Sequence, residues 1–410
     1  MILKNGLVLI DKTLQRCDVR IDGGKIAQLE DSVEPFEGEE VYDFSDKVIT
    51  PGFVNTHTHT PMAILKGVAE DLSFNDWLFK TIFPLEERLT SDAAYYGTMI
   101  SMMEMAKHGV TAFCDMYFHM DTVARAVADF GMKALLTRGL TDDNGDDAGR
   151  LDENIALHNK WHGYDDRIFV GLGPHAPYTC SKDYLKRIID VARVNDMIVA
   201  MHFFESSWER EKYTVSEIMS LGFDKVHFIP VHCVQLRTDE LGMLSNAFPS
   251  INVASNMKLG NGIPPILEML NTGLTLSIGT DGPASNNSLN PLFDLRVAML
   301  SQKMKDPSVF TTDQAFSMLT TNGYKALRLE GGKIEVGKPA DFAIFSINDI
   351  QLQPLNRFLN NLLHAHTDSV FATMVNGKFV YYDGEFPTID SQEVLKQFTT
   401  FSKKVTGIEN

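Results

Sequence analysis

The chain has 410 residues, of which 44% are hydrophobic and 22% charged, a composition typical of a soluble globular protein. Its formal net charge of -17 argues against general attraction to nucleic acid or to an anionic membrane, so an anionic substrate would need local cations. No stretch has the length of an apolar transmembrane span, and the N-terminus lacks a signal-peptide cleavage region, so we expect a cytoplasmic protein. The four cysteines are scattered without a CxxC pair, which favours buried free thiols.

The first segment, residues 1–50, predicts short β-strands, because apolar and polar residues alternate and Gly23-Gly24 supplies a turn. After it, residues 51–334 alternate between apolar strands and helices. The first of these helices is predicted to begin at the N-cap candidate Ser91 and to end at Gly109.

Eight strands are predicted in this central part. The first covers 48–54, ahead of His57, and the others are VTAFCDMY, KALLTRGL, IFVGLGPH, MIVAMHFFE, VHFIPVHCV, SINVASN and LTLSIGTDG. Strand-helix alternation predicts a parallel sheet, and eight such units predict an α/β fold of the closed (β/α)8, TIM-like barrel type over 51–334.

The strand pattern of the N-terminus returns over 335–390, where Asn376-Gly377 is a strong hairpin signal. We expect 1–50 and 335–390 to meet in one small β-sandwich domain. The remaining residues, 391–410, are predicted to form a C-terminal helix.

Polar residues fall at the C-terminal ends of the predicted barrel strands, where such barrels have their active sites. They are His57 and His59 on the first strand, His175 on the fourth, His202 on the fifth, His232 on the sixth and Asp281 on the eighth, with Glu205 just beyond His202. A histidine taken alone is more often a hydrogen-bonded core or surface residue, which is our interpretation of His108, His158, His162, His227, His364 and His366. Five histidines and an aspartate on one rim need partners, because buried polar groups are costly without them.

A metal would supply that partner. Neutral imidazoles and one carboxylate suit zinc or a similar divalent ion, and such a site lowers the pKa of its water toward roughly 7. A second metal in hydrolase barrels of this kind usually needs a carboxylated lysine at the end of the fourth strand, and the run 168–175 contains no lysine. We therefore predict one divalent metal per chain, with zinc the best candidate.

Several segments resemble a known family. PGFVNTHTH, HFFE, VHCV and GTDGPASNN resemble the amidohydrolase superfamily, in its mononuclear deaminase branch. HTHTPMAILKGVAEDLSFNDWLF, LEERLT, LLTRGL, NGDDAGRL, GPHAPY and SNMKLGNGIPP are similar to segments of the 5-methylthioadenosine/S-adenosylhomocysteine deaminases. The resemblance runs nearly end to end and includes the two flanking β segments.

The resemblance implies a set of metal ligands: His57, His59, His202 and Asp281. It implies that Glu205 is a proton shuttle to the adenine ring and that Asp281 moves a further proton toward the departing ammonia, so that both also contact the substrate. His232 corresponds to a histidine that supports the metal-bound water. The alternative for Glu205 is a solvated loop charge, since polar residues follow it.

The resemblance also implies substrate contacts. Glu86 corresponds to the residue that accepts hydrogen bonds from the ribose hydroxyls, and His175 to a second sugar contact. Arg138 and Arg150 correspond to the pair that binds the carboxylate of S-adenosylhomocysteine, for which guanidinium is well shaped. Trp77 could cap the purine. The alternative for Arg150 is a surface charge that neutralises the acidic loop containing Asp142, Asp143, Asp146 and Asp147.

One segment departs from the family pattern. Many relatives have His-Asn-Pro or His-Cys-Pro shortly before a Ser-Asn-x-Lys-Leu run, whereas 250–256 here lacks both histidine and proline. We place this segment on the seventh strand. Without the histidine and the proline, the shape of the pocket wall beside it does not follow from the family pattern.

The sequence thus predicts a metal-dependent hydrolase that deaminates the adenine ring of 5'-methylthioadenosine and S-adenosylhomocysteine, with adenosine as a further candidate. We expect its partner to be a small purine nucleoside substrate, and we expect it to bind neither nucleic acid nor membranes. The sequence does not decide whether the chain forms a homo-oligomer. Two alternatives remain: a guanine, cytosine or triazine aminohydrolase or chlorohydrolase of the same branch, and a non-catalytic scaffold that has lost its metal.

Overall fold

The computed structural model describes residues 1–304 and 306–408. Its strands are β1 (Ile2–Ile10), β2 (Thr13–Asp22), β3 (Lys25–Glu30), β4 (Val41–Asp43), β5 (Lys47–Pro51), β6 (Phe53–Thr58), β7 (Val110–Tyr117), β8 (Lys133–Leu140), β9 (Ile168–Pro174), β10 (Val199–Phe203), β11 (Phe228–His232), β12 (Ser250–Ile251), β13 (Ser277–Ile278), β14 (Phe342–Ser346), β15 (Ala372–Val375) and β16 (Lys378–Tyr382).

Its α-helices are α1 (Phe83–Glu86), α2 (Ser91–Lys107), α3 (Met120–Phe130), α4 (Arg150–Trp161), α5 (Lys182–Val194), α6 (Ser207–Lys212), α7 (Val215–Met219), α8 (Val253–Lys258), α9 (Ile266–Asn271), α10 (Pro291–Lys303), α11 (Thr312–Leu319), α12 (Thr321–Ala326), α13 (Phe358–His364) and α14 (Ser391–Thr406). A π-helix covers Asp76–Ile82, and 3₁₀ helices cover Thr60–Leu65, Phe223–Lys225, Thr238–Leu244, Ile350–Leu352 and Leu355–Arg357. Of the helices in the described ranges, none combines the length and the apolar character that crossing a bilayer requires.

The barrel sheet contains β6 to β13 in sequence order, and each strand is parallel to its neighbours. The last strand meets the first through the backbone, because the amides of Thr280 and Asp281 donate to the carbonyl oxygen of His57 at 3.1 and 3.0 Å. Ala112 and Cys114 belong to one apolar cluster with Leu135 and Ile229, while Phe113 between them belongs to the other large cluster, on the opposite face of the strand. The predicted (β/α)8 barrel is confirmed.

The other sheet is mixed and joins the two ends of the chain. Its order is β16-β15-β14-β5-β1-β2-β3, with β4 paired to β1. The hairpin turn between β15 and β16 is the predicted Asn376-Gly377, where both residues have positive φ, 45° and 72°. The N- and C-terminal segments therefore meet as expected, whereas the exact domain limits at 50, 334 and 390 stay a prediction.

The predicted first strand, 48–54, is divided between the two sheets. β5 belongs to the mixed sheet and β6 to the barrel, with the break at Gly52. A Cβ atom at Gly52 would lie 2.3 Å from the side chain of Thr111, and its amide donates to the carbonyl of Asp341 at 2.9 Å. The chain can change sheets there because glycine lets the backbone approach its neighbour closely.

The predicted seventh strand over 250–256 is mostly wrong. β12 covers Ser250–Ile251, and the chain then turns into the helix α8. The carboxylate of Asp294 accepts the amide of Ala254 at 3.2 Å in the first turn of that helix. A short apolar run does not separate strand from helix by its periodicity, and the contacts that decide between them come from distant parts of the chain.

Two helix limits also differ from the sequence expectation. α2 has Thr90 rather than Ser91 as its N-cap, because the Thr90 hydroxyl accepts the amide of Ala93 at 3.2 Å. α14 ends at Thr406 instead of continuing to 410, because Gly407 takes the left-handed conformation with φ 71°. The last two residues of the predicted helix, 409 and 410, lie outside the described residues.

A buried ion pair joins the barrel to the mixed sheet at the end opposite to the C-terminal ends of the strands. Lys133, the first residue of β8, donates to Asp341 Oδ2 at 2.5 Å, and both side chains are at most 4% exposed. The hydroxyl of Tyr324 donates to the same oxygen at 2.9 Å and lies 2.7 Å from Thr111 Oγ1.

Replacing the lysine of this pair should destabilise the fold. Lys133→Met leaves the Asp341 carboxylate buried without its cation, and we expect the free energy of unfolding to fall by about 3–5 kcal/mol. The control is Lys12→Met, which removes a pair with Asp313 whose side chains are more than half exposed, and which should change it by less than about 1 kcal/mol. Denaturant unfolding of both variants measures the difference, and equal effects would contradict the role given to the buried pair.

Candidate active site

The polar residues predicted at the strand ends come together at the C-terminal end of the barrel. His57 lies near the end of β6, His202 near the end of β10, and Asp281 just beyond β13. His59 follows β6 directly and caps the 3₁₀ helix Thr60–Leu65. His57 is 0% exposed and Asp281 5%, so these groups are removed from bulk water.

Three short separations connect four possible metal ligands at this end of the barrel. His57 Nε2 lies 3.2 Å from His202 Nε2 and 3.5 Å from Asp281 Oδ1, and His59 Nε2 lies 3.2 Å from the same oxygen. Ligand atoms about 2.0–2.1 Å from a tetrahedral ion lie about 3.3–3.4 Å apart. These three separations match those between ligands of one such ion, and the imidazole and carboxylate groups have the chemistry of metal ligands.

Hydrogen bonding and burial prepare the imidazoles for this role. His59 Nδ1 lies 2.5 Å from the carbonyl oxygen of Met116, which as an acceptor places the proton on Nδ1 and leaves Nε2 free. Burial lowers the pKa of His57 to about 3 and that of His202 well below its usual value. Burial also lowers the pKa of His59, but its hydrogen bond with Asp281 produces a net rise. Neutral imidazole is the form that binds metals.

The two oxygens of Asp281 have different partners. Oδ2 accepts from the hydroxyls of Ser255 at 2.5 Å and Ser285 at 2.9 Å, while Oδ1 faces His57 and His59. Burial raises the pKa of Asp281, but hydrogen bonds with the two histidines outweigh it and bring the pKa well below its usual value. The carboxylate is thus ionised. One of its oxygens is hydrogen-bonded to the two serines, and the other faces the two histidines.

Glu205 is buried, which excludes the solvated loop charge considered from the sequence. Its pKa is well above the usual value because of burial and the nearby carboxylates of Asp281 and Glu209. Glu209 is itself 1% exposed and accepts the amides of Phe204 and Glu205 at 3.2 and 3.0 Å. A raised pKa favours the protonated form of the carboxyl group, which is the form that a general acid needs.

His232 lies beside Glu205. Its Nε2 is 3.6 Å from Glu205 Oε2, and its Nδ1 is 2.9 Å from the side-chain nitrogen of Asn256. Burial lowers the pKa of His232 to about 4, so this imidazole is neutral at physiological pH.

A cavity of about 570 Å³ opens above these groups. This volume lies within the range of small-molecule sites. Apart from the fully buried His57, every site residue predicted from the sequence lines it: His59, Glu86, Arg138, Arg150, His175, His202, Glu205, His232 and Asp281. Aromatic and apolar side chains form much of the remaining wall: Met62, Phe74, Trp77, Leu78, Phe83, Met116, Tyr117, Phe118 and Tyr178.

Glu86 and His175 lie on the wall of this cavity. The hydroxyl of Tyr117 donates to Glu86 Oε1 at 2.6 Å, and burial raises the pKa of Glu86 to about 7. His175 Nδ1 lies 2.8 Å from Thr179 Oγ1, and its ring centre is 4.9 Å from that of His202. One face of the cavity therefore presents hydrogen-bonding groups close to the ligand set.

Arg138 and Arg150 line the cavity, and neither has all its N–H donors paired with the acidic loop. Arg150 Nη1 donates to the backbone carbonyls of Asp147 at 2.8 Å and Thr141 at 3.4 Å. Within the described ranges it forms no ion pair with the carboxylates of that loop. Arg138 Nε donates to Glu153 Oε2 at 2.8 Å. Each guanidinium has five N–H donors, so both keep donors for a ligand.

Comparison with known proteins agrees with this geometry. The Amidohydrolase family matches residues 48–380. The chain belongs to that family. It is 46% identical to a 5-methylthioadenosine/S-adenosylhomocysteine deaminase of Thermotoga maritima over 99% of both chains, and 34% identical to a 5'-deoxyadenosine deaminase of Methanocaldococcus jannaschii over 93% of this chain and 95% of that one. A crystal structure of an adenosine deaminase from Xanthomonas campestris with bound zinc has a TM-score of 0.91 and 26% identity, covering 99% of this chain and 98% of the other.

Sequence reasoning missed the residues that hold the ionisable groups in place. They are Ser255 and Ser285 on Asp281, Asn256 and Asn261 on Glu205, Tyr117 on Glu86, and Glu209 under the 204–206 turn. A signal existed for Glu209, since Ser206-x-x-Glu209 is a capping box. For Ser255 and Asn256 the signal was hidden, because the segment was placed on a strand.

The serine contacts predict an effect on metal affinity. Ser285→Ala removes a hydrogen bond that orients Asp281, and we expect zinc affinity to fall by about 10- to 100-fold, the usual cost of losing a group that orients a ligand. Competition with a chelator measures it. The control is Ser301→Ala on α10, whose hydroxyl donates to the carbonyl of Ala298 and accepts from Gln302 Nε2, both on its own helix. Unchanged affinity in Ser285→Ala would contradict the orienting role.

Proposed function

We propose that this chain hydrolytically deaminates the adenine ring of 5'-methylthioadenosine and S-adenosylhomocysteine, releasing ammonia and the inosine analogue. One observation carries the proposal: a single cavity joins the ligand set and Glu205 to Glu86 and to two arginines. The metal ligands and Glu205 suit hydrolysis. Glu86 suits a ribose, and the two arginines suit a carboxylate. The names of the Thermotoga and Methanocaldococcus relatives support a nucleoside substrate.

We propose one divalent ion, zinc, held by His57, His59, His202 and Asp281. The separations of 3.2–3.5 Å among these ligand atoms support a single centre, as does the absence of lysine from β9. When bound, such an ion lowers the pKa of water toward about 7 and so supplies a nucleophile at neutral pH.

Glu205 is the proton carrier in this proposal. It accepts a proton from the attacking water and donates it to the adenine ring nitrogen next to the carbon under attack. Its raised pKa favours the second step, because it stabilises the protonated carboxyl group that donates to the ring. Asp281 accepts the second proton and passes it to the departing amine, while His232 orients the water from the side of Glu205.

Substrate orientation falls to the cavity wall. The carboxylate of Glu86 accepts hydrogen bonds from the ribose hydroxyls, and Tyr117 holds that carboxylate by the 2.6 Å hydrogen bond. His175 is a second sugar contact. Trp77, whose indole N–H donates to the carbonyl of Ala284 at 3.1 Å, is fixed where its ring can cover the purine.

The alternatives predict different results in one experiment. Purified, zinc-loaded protein is tested for ammonia release from S-adenosylhomocysteine, 5'-methylthioadenosine, 5'-deoxyadenosine, adenosine, guanine and cytosine. We expect the highest kcat/KM among the first two. Preference for 5'-deoxyadenosine would favour the activity named for the Methanocaldococcus relative, and preference for a free base would favour another deaminase of the branch. Protein that retains no zinc and shows no turnover would favour the scaffold.

The two arginines make a sharper prediction. Arg150→Ala and Arg138→Ala should each lower kcat/KM for S-adenosylhomocysteine by about 10- to 150-fold, the range expected for one charged hydrogen bond. 5'-Methylthioadenosine lacks the carboxylate and should change little. Steady-state kinetics on both substrates measure the difference.

Glu86→Ala is the control for this experiment. Both substrates carry the ribose, so this variant should damage both equally. If the arginine variants also lose activity equally on both substrates, the guanidinium groups have a structural role. The cavity then no longer supports the proposal that S-adenosylhomocysteine is a substrate.

A further inference from the structure

Two asparagine side chains converge on one oxygen of Glu205. Asn261 Nδ2 donates to Oε1 at 2.8 Å, and Asn256 Nδ2 approaches the same oxygen at 3.3 Å. The other oxygen, Oε2, accepts from neither and is the one nearer His232 Nε2, at 3.6 Å. Both asparagines come from the segment 253–261, which the sequence had placed partly on a strand.

The orientation of both amide groups follows from their other contacts. When Glu205 is ionised its Oε1 can only accept, so the NH₂ group of Asn261, 2.8 Å away, must face it. Asn261 Oδ1 then accepts the hydroxyl of Ser206 at 3.3 Å. Turning the Asn256 amide around would bring its oxygen to 3.3 Å from Oε1, where two acceptors would repel. Oε1 therefore accepts two N–H bonds, and a proton on Glu205 has its place on Oε2.

The same amide group fixes the tautomer of His232. Asn256 Nδ2 also lies 2.9 Å from His232 Nδ1. Because that nitrogen of Asn256 only donates, His232 Nδ1 must be the acceptor, and the neutral ring carries its proton on Nε2. Nε2–H then points toward Glu205 Oε2 and the ligand set.

We propose that Asn256 and Asn261 are positioning residues that assign the shuttled proton to Oε2 of Glu205 and the imidazole proton to Nε2 of His232. In the transfer, an O–H bond of water breaks as Oε2–H forms, and Oε2–H then breaks as the N–H bond on the purine forms. Asn256 couples the two assignments, because its two N–H bonds go to both residues. The kinetic part of this inference rests on the proposed deaminase function, whereas the tautomer does not.

The competing arrangement makes His232 a metal ligand. His57, His232 and Asp281 also lie close enough to hold an ion. In that case Nε2 of His232 would be unprotonated and its Nδ1 would carry the proton. The Asn256 amide would be turned by 180°, so that its Oδ1 accepts from Nδ1–H. The two arrangements place the imidazole proton on opposite nitrogens.

Nitrogen NMR of zinc-loaded protein labelled with 15N-histidine distinguishes them without any substrate. The His232 signals are identified by their loss in His232→Gln. We expect a neutral ring protonated on Nε2 in the wild type and on Nδ1 in Asn256→Asp, where an oxygen replaces the donor. A wild-type ring protonated on Nδ1 would overturn the proposal. This result stands even if the ammonia screen finds no substrate, so the two proposals fail separately.

Kinetics of Asn261 variants test the assignment to Oε2 and do not depend on the folding of Asn256→Asp. Asn261→Ala removes a donor, whereas Asn261→Asp can share a proton with Oε1 and so keeps it on the wrong oxygen. We expect Asp to lower kcat by about 10- to 100-fold, as for a charged hydrogen bond, and Ala to lower it less. KM and zinc content should stay unchanged in both variants.

A purely structural role predicts the reverse order, because aspartate keeps the shape of asparagine and alanine does not. Ala worse than Asp, or a loss of zinc in both variants, would therefore overturn the proposal. The matched control is Asn322→Ala, which removes a side-chain hydrogen bond to the carbonyl of Leu276 at 2.9 Å, away from the cavity. It should lower the melting temperature while kcat stays at the wild-type value.

Discussion

Several imidazoles and two carboxylates share one dehydrated rim of the barrel, and each needs a partner because an unpaired buried polar group costs free energy. The effect of burial is seen in the pKa values: burial raises the pKa of Glu205 well above its usual value and lowers the pKa of His57 to about 3. A metal among His57, His59, His202 and Asp281 would satisfy the groups at the centre. The surrounding hydroxyl and amide groups satisfy the rest, and this requirement shapes the loops above the barrel.

The two carboxylates meet the requirement in the same way. In Asp281 the serines hold Oδ2 and leave Oδ1 for the histidines. In Glu205 the asparagines hold Oε1 and leave Oε2 for the cavity. One oxygen of each group is thus fixed by the protein, and the other is kept for chemistry. Ser255 and Asn256 are adjacent on α8, so one short helix orients both carboxylates.

The barrel and the positions of the ionisable groups could be predicted from the sequence, because strand-helix alternation and strand ends are local patterns. Val110–Tyr117 and Lys133–Leu140 match their predicted strands to the residue. The helix α8 could not be predicted in this way. It depends on Asp294, 40 residues further on, which accepts the amide of Ala254. Ser255 and Asn256 reach the carboxylates from that helix, and no local sequence pattern records the long-range contact in its first turn.

Backbone strain marks the same rim. Phe204, His232 and Asp281 have positive φ, 48°, 73° and 63°, a conformation that costs a non-glycine residue about 1–3 kcal/mol. Each lies where a barrel strand has ended or is ending, and two of them, His232 and Asp281, line the cavity. Such strain persists only when the rest of the fold holds it. The Lys133–Asp341 pair and its Tyr324 hydrogen bond are buried at the opposite end, so the positive-φ residues of the rim and this ion pair lie at opposite ends of the barrel.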